Sequence, residues 1–63
     1  MWKVRLTLGK TLPDGEKIVT SRLVEAGFLN RGQAEAWLAD GARKRYGPAC
    51  WARVQKVEVY EEK

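Results

Sequence analysis

Residues 2–8 alternate strictly between apolar and polar side chains, and this alternation constrains the fold more than any other feature of the chain. The apolar members are Trp2, Val4, Leu6 and Leu8, and the polar members between them are Lys3, Arg5 and Thr7. Successive side chains of a β-strand point to opposite faces of a sheet, so a period of two is typical of a strand with one buried face. The pattern therefore predicts a sheet with one apolar face and one polar face.

A second strand is predicted to follow through a hairpin turn. In Pro13-Asp14-Gly15, the proline presets the φ angle of a turn and the glycine accepts a positive φ. Residues 17–24 are rich in β-branched side chains, which favours an antiparallel partner strand that ends before Ala26-Gly27. Apolar residues of this segment occupy both parities, so a bulge or a change to helix near Ser21 is needed to bring them to one face.

An amphipathic helix is predicted over residues 31–46. Asn30 is a favoured capping residue, and Gln33 stands three positions later, as in a variant of the capping box. Gly47-Pro48 is expected to end the helix. The side chains that recur at intervals of three and four, and so define the inward stripe, are Ala34, Trp37, Leu38, Gly41, Ala42 and Tyr46.

Residues 51–60 return to the composition of a strand. Ala52 and Val54 occupy one parity and the later valines occupy the other, so a bulge near Gln55-Lys56 would bring all of them inward. The element order is then β-β-α-β. A right-handed crossover through the helix places the third strand beside the first. We therefore predict one α+β domain, residues 1–63, with a three-stranded antiparallel sheet in the order 2-1-3 and one helix packed on one face.

Composition argues against several classes of function. The chain of 63 residues has one cysteine, Cys50, and no histidine, so neither an internal disulfide nor a zinc site can be assembled. Acidic residues are scattered, and no nucleotide-binding or nucleophile motif is present. We expect no catalysis, no cofactor, no metal and no small-molecule substrate. No apolar run approaches the roughly 20 residues of a membrane span, so we expect a cytoplasmic protein without membrane contact.

The face of the sheet away from the helix is the first candidate binding surface. The side chains that the alternation directs outward from the first and third strands are Lys3, Arg5, Thr7, Trp51, Arg53 and Gln55. The net charge of +4 attracts phosphate, Gln and Thr can hydrogen-bond bases, and an exposed tryptophan can stack on one. Two alternatives stand beside this hypothesis: the face is only solvated, as in many antiparallel sheets, or Trp51 folds over the sheet edge into the core.

A second basic cluster, Arg43-Lys44-Arg45, lies in the last turn of the predicted helix. Cations there complement the helix dipole, which is a sufficient structural reason for their presence. The same three side chains could also contact a phosphate backbone beside the sheet.

The run GFLNRGQAEAWL, residues 27–38, resembles the step from strand to helix in the arm-type DNA-binding domains of phage integrases. In those domains an aromatic residue and a capping residue precede a helix with Ala, Glu, Ala and Trp. The resemblance covers about residues 2–40 and implies a three-stranded sheet that reads the DNA major groove, a role that would fall here to outward residues such as Lys3 and Arg5. That family places three strands before its helix, whereas this sequence predicts two before and one after.

Two hypotheses of function follow. The first is a small nucleic-acid-binding module that lays its basic outer sheet face on a phosphate backbone. The alternative is a small phage or mobile-element protein that binds and modulates a host enzyme or a defence complex. Its exposed edge strands would make the contact, and the third strand could also pair across a homodimer. An accessory structural subunit with a merely solvated basic face is also compatible with the residues.

Overall fold

A computed structural model describes all 63 residues and has the predicted fold class. Strands β1 (Trp2–Thr11), β2 (Lys17–Phe28) and β3 (Val54–Glu61) form one sheet in the order β2-β1-β3. Both pairings are antiparallel, so β1 is central and each neighbour has one free edge. The predicted strand order is therefore confirmed. The strands are longer than predicted at the hairpin, where β1 continues to Thr11, and at the end of β2.

The hairpin between β1 and β2 closes as its turn residues require. The Gly15 amide donates to the Leu12 carbonyl at 2.9 Å, and the Leu12 amide donates to the Glu16 carbonyl at 2.7 Å. Gly15 has a φ of 90°, the positive value that follows a turn in a three-residue hairpin loop. The Asp14 carboxylate accepts a hydrogen bond from the Glu16 amide at 2.9 Å, and this bond within the loop stabilises the turn.

Two bulges in β2 determine which of its side chains face the core. Leu8 pairs with Ser21 and Gly9 with Val19, which leaves Thr20 as the extra residue. This bulge lies beside the position that the sequence predicts, and it moves Val19 to the face away from the helix. The second bulge is at Gly27, whose φ is 96°, and it carries the strand on to Phe28. The predicted end of β2 before Ala26-Gly27 is therefore wrong, because glycine here bends the strand without ending it.

The helical region is one continuous long helix, residues 31–45, followed by a short one. Its parts are α1 (Arg31–Ala36), a π-helical turn (Trp37–Gly41) and α2 (Ala42–Arg45). The Asn30 side chain accepts from the Gln33 amide at 2.8 Å, and the Gln33 side chain accepts from the Leu29 amide at 2.8 Å, which confirms the predicted cap.

The core lies between this helix and one face of the sheet. Val4, Leu6 and Leu8 on β1 are buried together with Ala34 of the helix. The half-buried side chains that complete the cluster include Leu23, Phe28, Trp37, Leu38, Tyr46, Cys50, Trp51, Val54 and Val59. The Trp37 ring packs between two other aromatic rings, since its centroid lies 5.5 Å from that of Phe28 and 6.3 Å from that of Tyr46. The predicted inward stripe of the helix is confirmed.

The segment between the long helix and β3 differs from the prediction. Gly47-Pro48 ends the long helix, but Pro48 also begins a further helical turn, α3 (Pro48–Trp51), because proline fits the first position of a helix. β3 consequently begins at Val54 rather than at residue 51, and Ala52 lies exposed before it. The predicted bulge is present, since Thr7 pairs with Lys56 and Leu8 with Val54, leaving Gln55 as the extra residue.

Candidate nucleic-acid interface

The outer face, defined here as the side of the sheet away from the helix, is organised in rows across the three strands. Lys3, Arg5 and Thr7 of β1 lie on it, as the alternation predicts. From β2 to β3, the three rows that pass through these residues are Ala26-Lys3-Tyr60, Val24-Arg5-Glu58 and Arg22-Thr7-Lys56. Neighbouring strands are about 4.8 Å apart, so the backbones of Arg22 and Lys56 flank Thr7 at roughly 10 Å from each other.

The positive charge of the chain is concentrated on this face. The five cations that the strand register places there are Lys3, Arg5, Lys17, Arg22 and Lys56. Only two carboxylates, Glu58 and Glu62, accompany them. On the helix side, five cations (Lys10, Arg31, Arg43, Lys44, Arg45) accompany four carboxylates (Glu25, Glu35, Asp40, Glu61). The outer face thus carries an excess of three positive charges out of the net +4, and the helix side an excess of one.

A shallow concavity of about 620 Å³ lies in the middle of the outer face. Its lining consists of Arg5, Thr7, Val19, Arg22, Lys56 and Glu58. Thr7 forms its floor and is 9% exposed, although its hydroxyl takes part in none of the side-chain hydrogen bonds of the protein. Three cations against one carboxylate, with a free hydroxyl beneath them, make the concavity suited to an anion.

Arg5 is held in place by a carboxylate and an aromatic ring. Its Nε and Nη2 atoms each donate to one oxygen of Glu58 at 3.0 Å, which is a bidentate pair, and its guanidinium lies 5.2 Å from the centre of the Tyr60 ring. The hydrogen bond from Arg5 lowers the pKa of Glu58, and Glu58 in turn raises the pKa of Arg5. Lys3 pairs with Glu62 in the same manner, which lowers the pKa of that carboxyl group.

Arg22 and Lys56 are the freest cations of the concavity. Arg22 has no carboxylate within ion-pair distance, and Lys56 has only Glu58 at 3.9 Å. Neither residue was among the predicted binding residues. Arg22 reaches the outer face through the bulge at Thr20, so the signal that could have identified it was the mixed parity of residues 17–24. Lys56 depends in the same way on the bulge at Gln55.

The other residues predicted on this face have different positions. Trp51 belongs to α3 and packs against the core, with its Nε1 donating to the Ala42 carbonyl at 3.4 Å, so the predicted outward position is wrong and the core alternative holds. Arg53 precedes β3 and donates to the Thr20 hydroxyl at 3.1 Å. Gln55 lies over Gly9, where its amide nitrogen donates to the Lys10 and Ile18 carbonyls, both at 3.4 Å. The Gln55 amide therefore links β3 to both strands of the hairpin and does not lie free on the outer face.

The basic cluster at the end of the long helix lies on the opposite side of the sheet from the concavity. Arg45 pairs with Glu25, which faces the helix, at 3.7 Å, and Lys44 pairs with Asp40 at 3.5 Å. Arg43 lies over the Trp51 ring at 5.1 Å. One flat ligand cannot touch both this cluster and the outer face, so the structure does not bring the two predicted basic regions together.

Two further findings bear on the site. No group of three or more Cys, Asp or Glu side chains is placed to hold a metal ion, and none of the helices has the length and apolar composition of a membrane span. No protein-family model matches the chain, and comparisons with curated proteins and with solved structures gave no match.

Proposed function

We propose that the chain is a small nucleic-acid-binding module whose outer sheet face contacts the phosphate backbone of a duplex. The observation that carries this proposal is the charge asymmetry across the sheet. Five cations and two carboxylates share the outer face, whereas five cations accompany four carboxylates on the helix side. A positive charge excess concentrated on one exposed face supports a polyanionic partner.

The side chains of the face favour contact with backbone phosphates over stacking on bases. Single strands are bound largely by aromatic platforms, but the three tryptophans lie on the helix side and Tyr60 is the one aromatic residue outside. Tyr60 is also covered in part by Arg5. Cations, a hydroxyl and small aliphatic side chains are suited to phosphate oxygens and sugars, contacts that position a protein without selecting a sequence.

The test compares two double variants that remove the same charge from opposite sides of the sheet. Arg22→Gln/Lys56→Gln removes one arginine without a carboxylate partner and one lysine with a long ion pair from the outer face. Arg43→Gln/Lys44→Gln removes the same two types of side chain from the helix side, an arginine that lies over the Trp51 ring and a lysine with an ion pair of 3.5 Å. Both side-chain pairs are exposed, so thermal unfolding is expected to show both variants folded.

The expected effect follows from counterion release. Each phosphate contact contributes about 0.9 to the slope of log K against log salt, so the loss of two contacts lowers the slope by about 1.8 and the affinity at about 0.1 M salt by roughly 60-fold. Fluorescence anisotropy of a labelled duplex between about 50 and 200 mM salt measures both quantities. The helix-side variant should lose less than about threefold, since its charges act only at a distance.

Three results would contradict the proposal: no binding of the wild-type protein at the lowest salt, equal losses in the two variants, or tighter binding to a single strand of the same length. In the first case, a pull-down from a nuclease-treated lysate tests the other hypothesis of the sequence analysis, a protein partner. The free edges of β2 and β3 would then be the first surfaces to examine.

A further inference from the structure

The concavity of the outer face contains a carboxylate in the position where a ligand phosphate would be expected. Glu58 accepts two hydrogen bonds from Arg5 and also lies 3.9 Å from Lys56, so it joins two of the three cations that line the concavity. The third cation, Arg22, has no carboxylate within ion-pair distance. A carboxylate and a phosphate present similar oxygen pairs to a guanidinium, so the two groups can occupy the same place beside Arg5.

We propose that one backbone phosphate of the nucleic acid binds in this concavity, between Arg22, Lys56 and the Thr7 hydroxyl, and displaces Glu58 from Arg5. This inference rests on the proposed function, which supplies the phosphodiester. Glu58 then acts as an internal competitor: in the free protein it neutralises the arginine at the centre of the site, and in the complex it turns toward solvent.

The geometry of Glu58 allows such an exchange. The side chain is 29% exposed and lies on β3, an edge strand, so the carboxylate can rotate outward without entering the core. Arg5 remains supported after the exchange because its guanidinium also lies over the Tyr60 ring. Thr7 is central and nearly buried, so its hydroxyl stays in place as a donor at the floor of the site.

The decisive variant is Glu58→Gln, compared with Glu35→Gln. Both substitutions remove one negative charge and one arginine–glutamate pair of similar length, 3.0 Å for Arg5–Glu58 and 2.8 Å for Arg31–Glu35. Only the first pair lies in the concavity. If Glu58 competes with phosphate, Glu58→Gln adds one effective contact. The slope of log K against log salt then steepens by about 0.9 and duplex affinity at about 0.1 M salt rises by roughly eightfold. Glu35→Gln should change the affinity by less than about twofold.

A second measurement does not depend on the variant being folded. In the wild-type protein, the Nε–Hε resonance of Arg5 should shift on titration with the duplex, while that of Arg31 should stay in place. Inorganic phosphate is the comparison ligand. It should shift the same Arg5 resonance only at much higher concentration, because it offers a single phosphate, whereas a duplex also presents phosphates to the other cations of the outer face. Saturation by both ligands at equal concentration would identify a site for free phosphate and overturn the assignment to a nucleic-acid backbone.

The outcomes separate this inference from the proposed function. If the wild-type protein binds duplex and Arg22→Gln/Lys56→Gln lowers the duplex affinity, the proposed function stands. Equal effects of Glu58→Gln and Glu35→Gln, or a static Arg5 resonance, would then overturn the displacement of Glu58 alone. If no protein binds duplex at low salt, including Glu58→Gln, the proposed function and this inference fail together.

Discussion

Substituting Gly9 with alanine is expected to destabilise the protein strongly, although exchanging glycine for alanine in many positions has the opposite effect. A Cβ atom at Gly9 would overlap the Ile18 carbonyl oxygen and lie 2.6 Å from the Gln55 amide nitrogen. Non-bonded carbon contacts normally begin at about 3.5 Å, so β1 and its neighbours must separate by roughly an ångström. The glycine is therefore required by close approach, at the point where two bulges meet β1.

The magnitude follows from the bonds that this separation would break. The Gly9 amide donates to the Arg53 carbonyl at 3.0 Å, and the Gln55 amide nitrogen donates to the Lys10 and Ile18 carbonyls. Three hydrogen bonds at about 1 kcal/mol each give a loss of about 3 kcal/mol. The reduced entropy of the unfolded chain offsets about 0.5 kcal/mol of this. The net loss is large beside a total stability of roughly 3–9 kcal/mol for a chain of this length.

Thermal and urea unfolding, followed by tryptophan fluorescence and circular dichroism, measure this loss. A domain of this size loses about 4–8 °C of melting temperature for each kcal/mol, so Gly9→Ala should melt roughly 10–20 °C below the wild type. Gln55→Ala is the control, because it removes the side chain that contacts Gly9 but not the Ile18 carbonyl. The double variant should not recover the stability of Gln55→Ala. A melting temperature of Gly9→Ala within about 3 °C of the wild type would refute the steric argument.

Two further predictions concern the pH dependence of stability and the core. Hydrogen bonds from Arg5 and Lys3 hold the pKa values of Glu58 and Glu62 below their ordinary value of 4.5. The stability that these two ion pairs contribute is therefore complete above about pH 4.5 and is lost as the pH falls through the lower folded-state pKa values. Urea unfolding at pH values from neutral to acidic should show this loss of unfolding free energy, and Glu58→Gln should make the loss smaller. The Leu6 side chain is 1% exposed, so Leu6→Ala should lower the free energy of urea unfolding by about 3 kcal/mol. Val57 lies in the same row but is 44% exposed, so Val57→Ala should lower it by less than about 1 kcal/mol. Equal losses would contradict the assigned burial.

Much of the fold follows from signals that are local in the sequence. The alternation over residues 2–8 identifies β1 because one face of it is buried on Ala34 of the helix. The cap at Asn30 and Gln33 is a pattern of four residues and appears in the structure as predicted. The turn at Pro13-Asp14-Gly15 has the same local character. Each signal acts within a few residues, so the sequence alone carries it.

The features that the sequence did not reveal depend on contacts between distant segments. Pro48 can follow the end of one helix or begin another, and here it begins α3, whose Trp51 packs against the core. Arg22 reaches the outer face only because Thr20 bulges where β2 passes Gly9. The sequence therefore predicts the outward positions of Lys3, Arg5 and Thr7, which the structure shows, but not those of Arg22 and Lys56.

The placement of the aromatic side chains also divides the optical signals of the protein. Trp2, Trp37 and Trp51 all lie on the helix side, whereas Tyr60 lies on the outer face beside Arg5. Tryptophan emission should therefore report the integrity of the core and stay unchanged when a ligand without aromatic overlap covers the opposite surface. Folding and binding can consequently be followed separately in one sample, so a loss of affinity in any variant can be assigned to the interface or to unfolding without a second preparation.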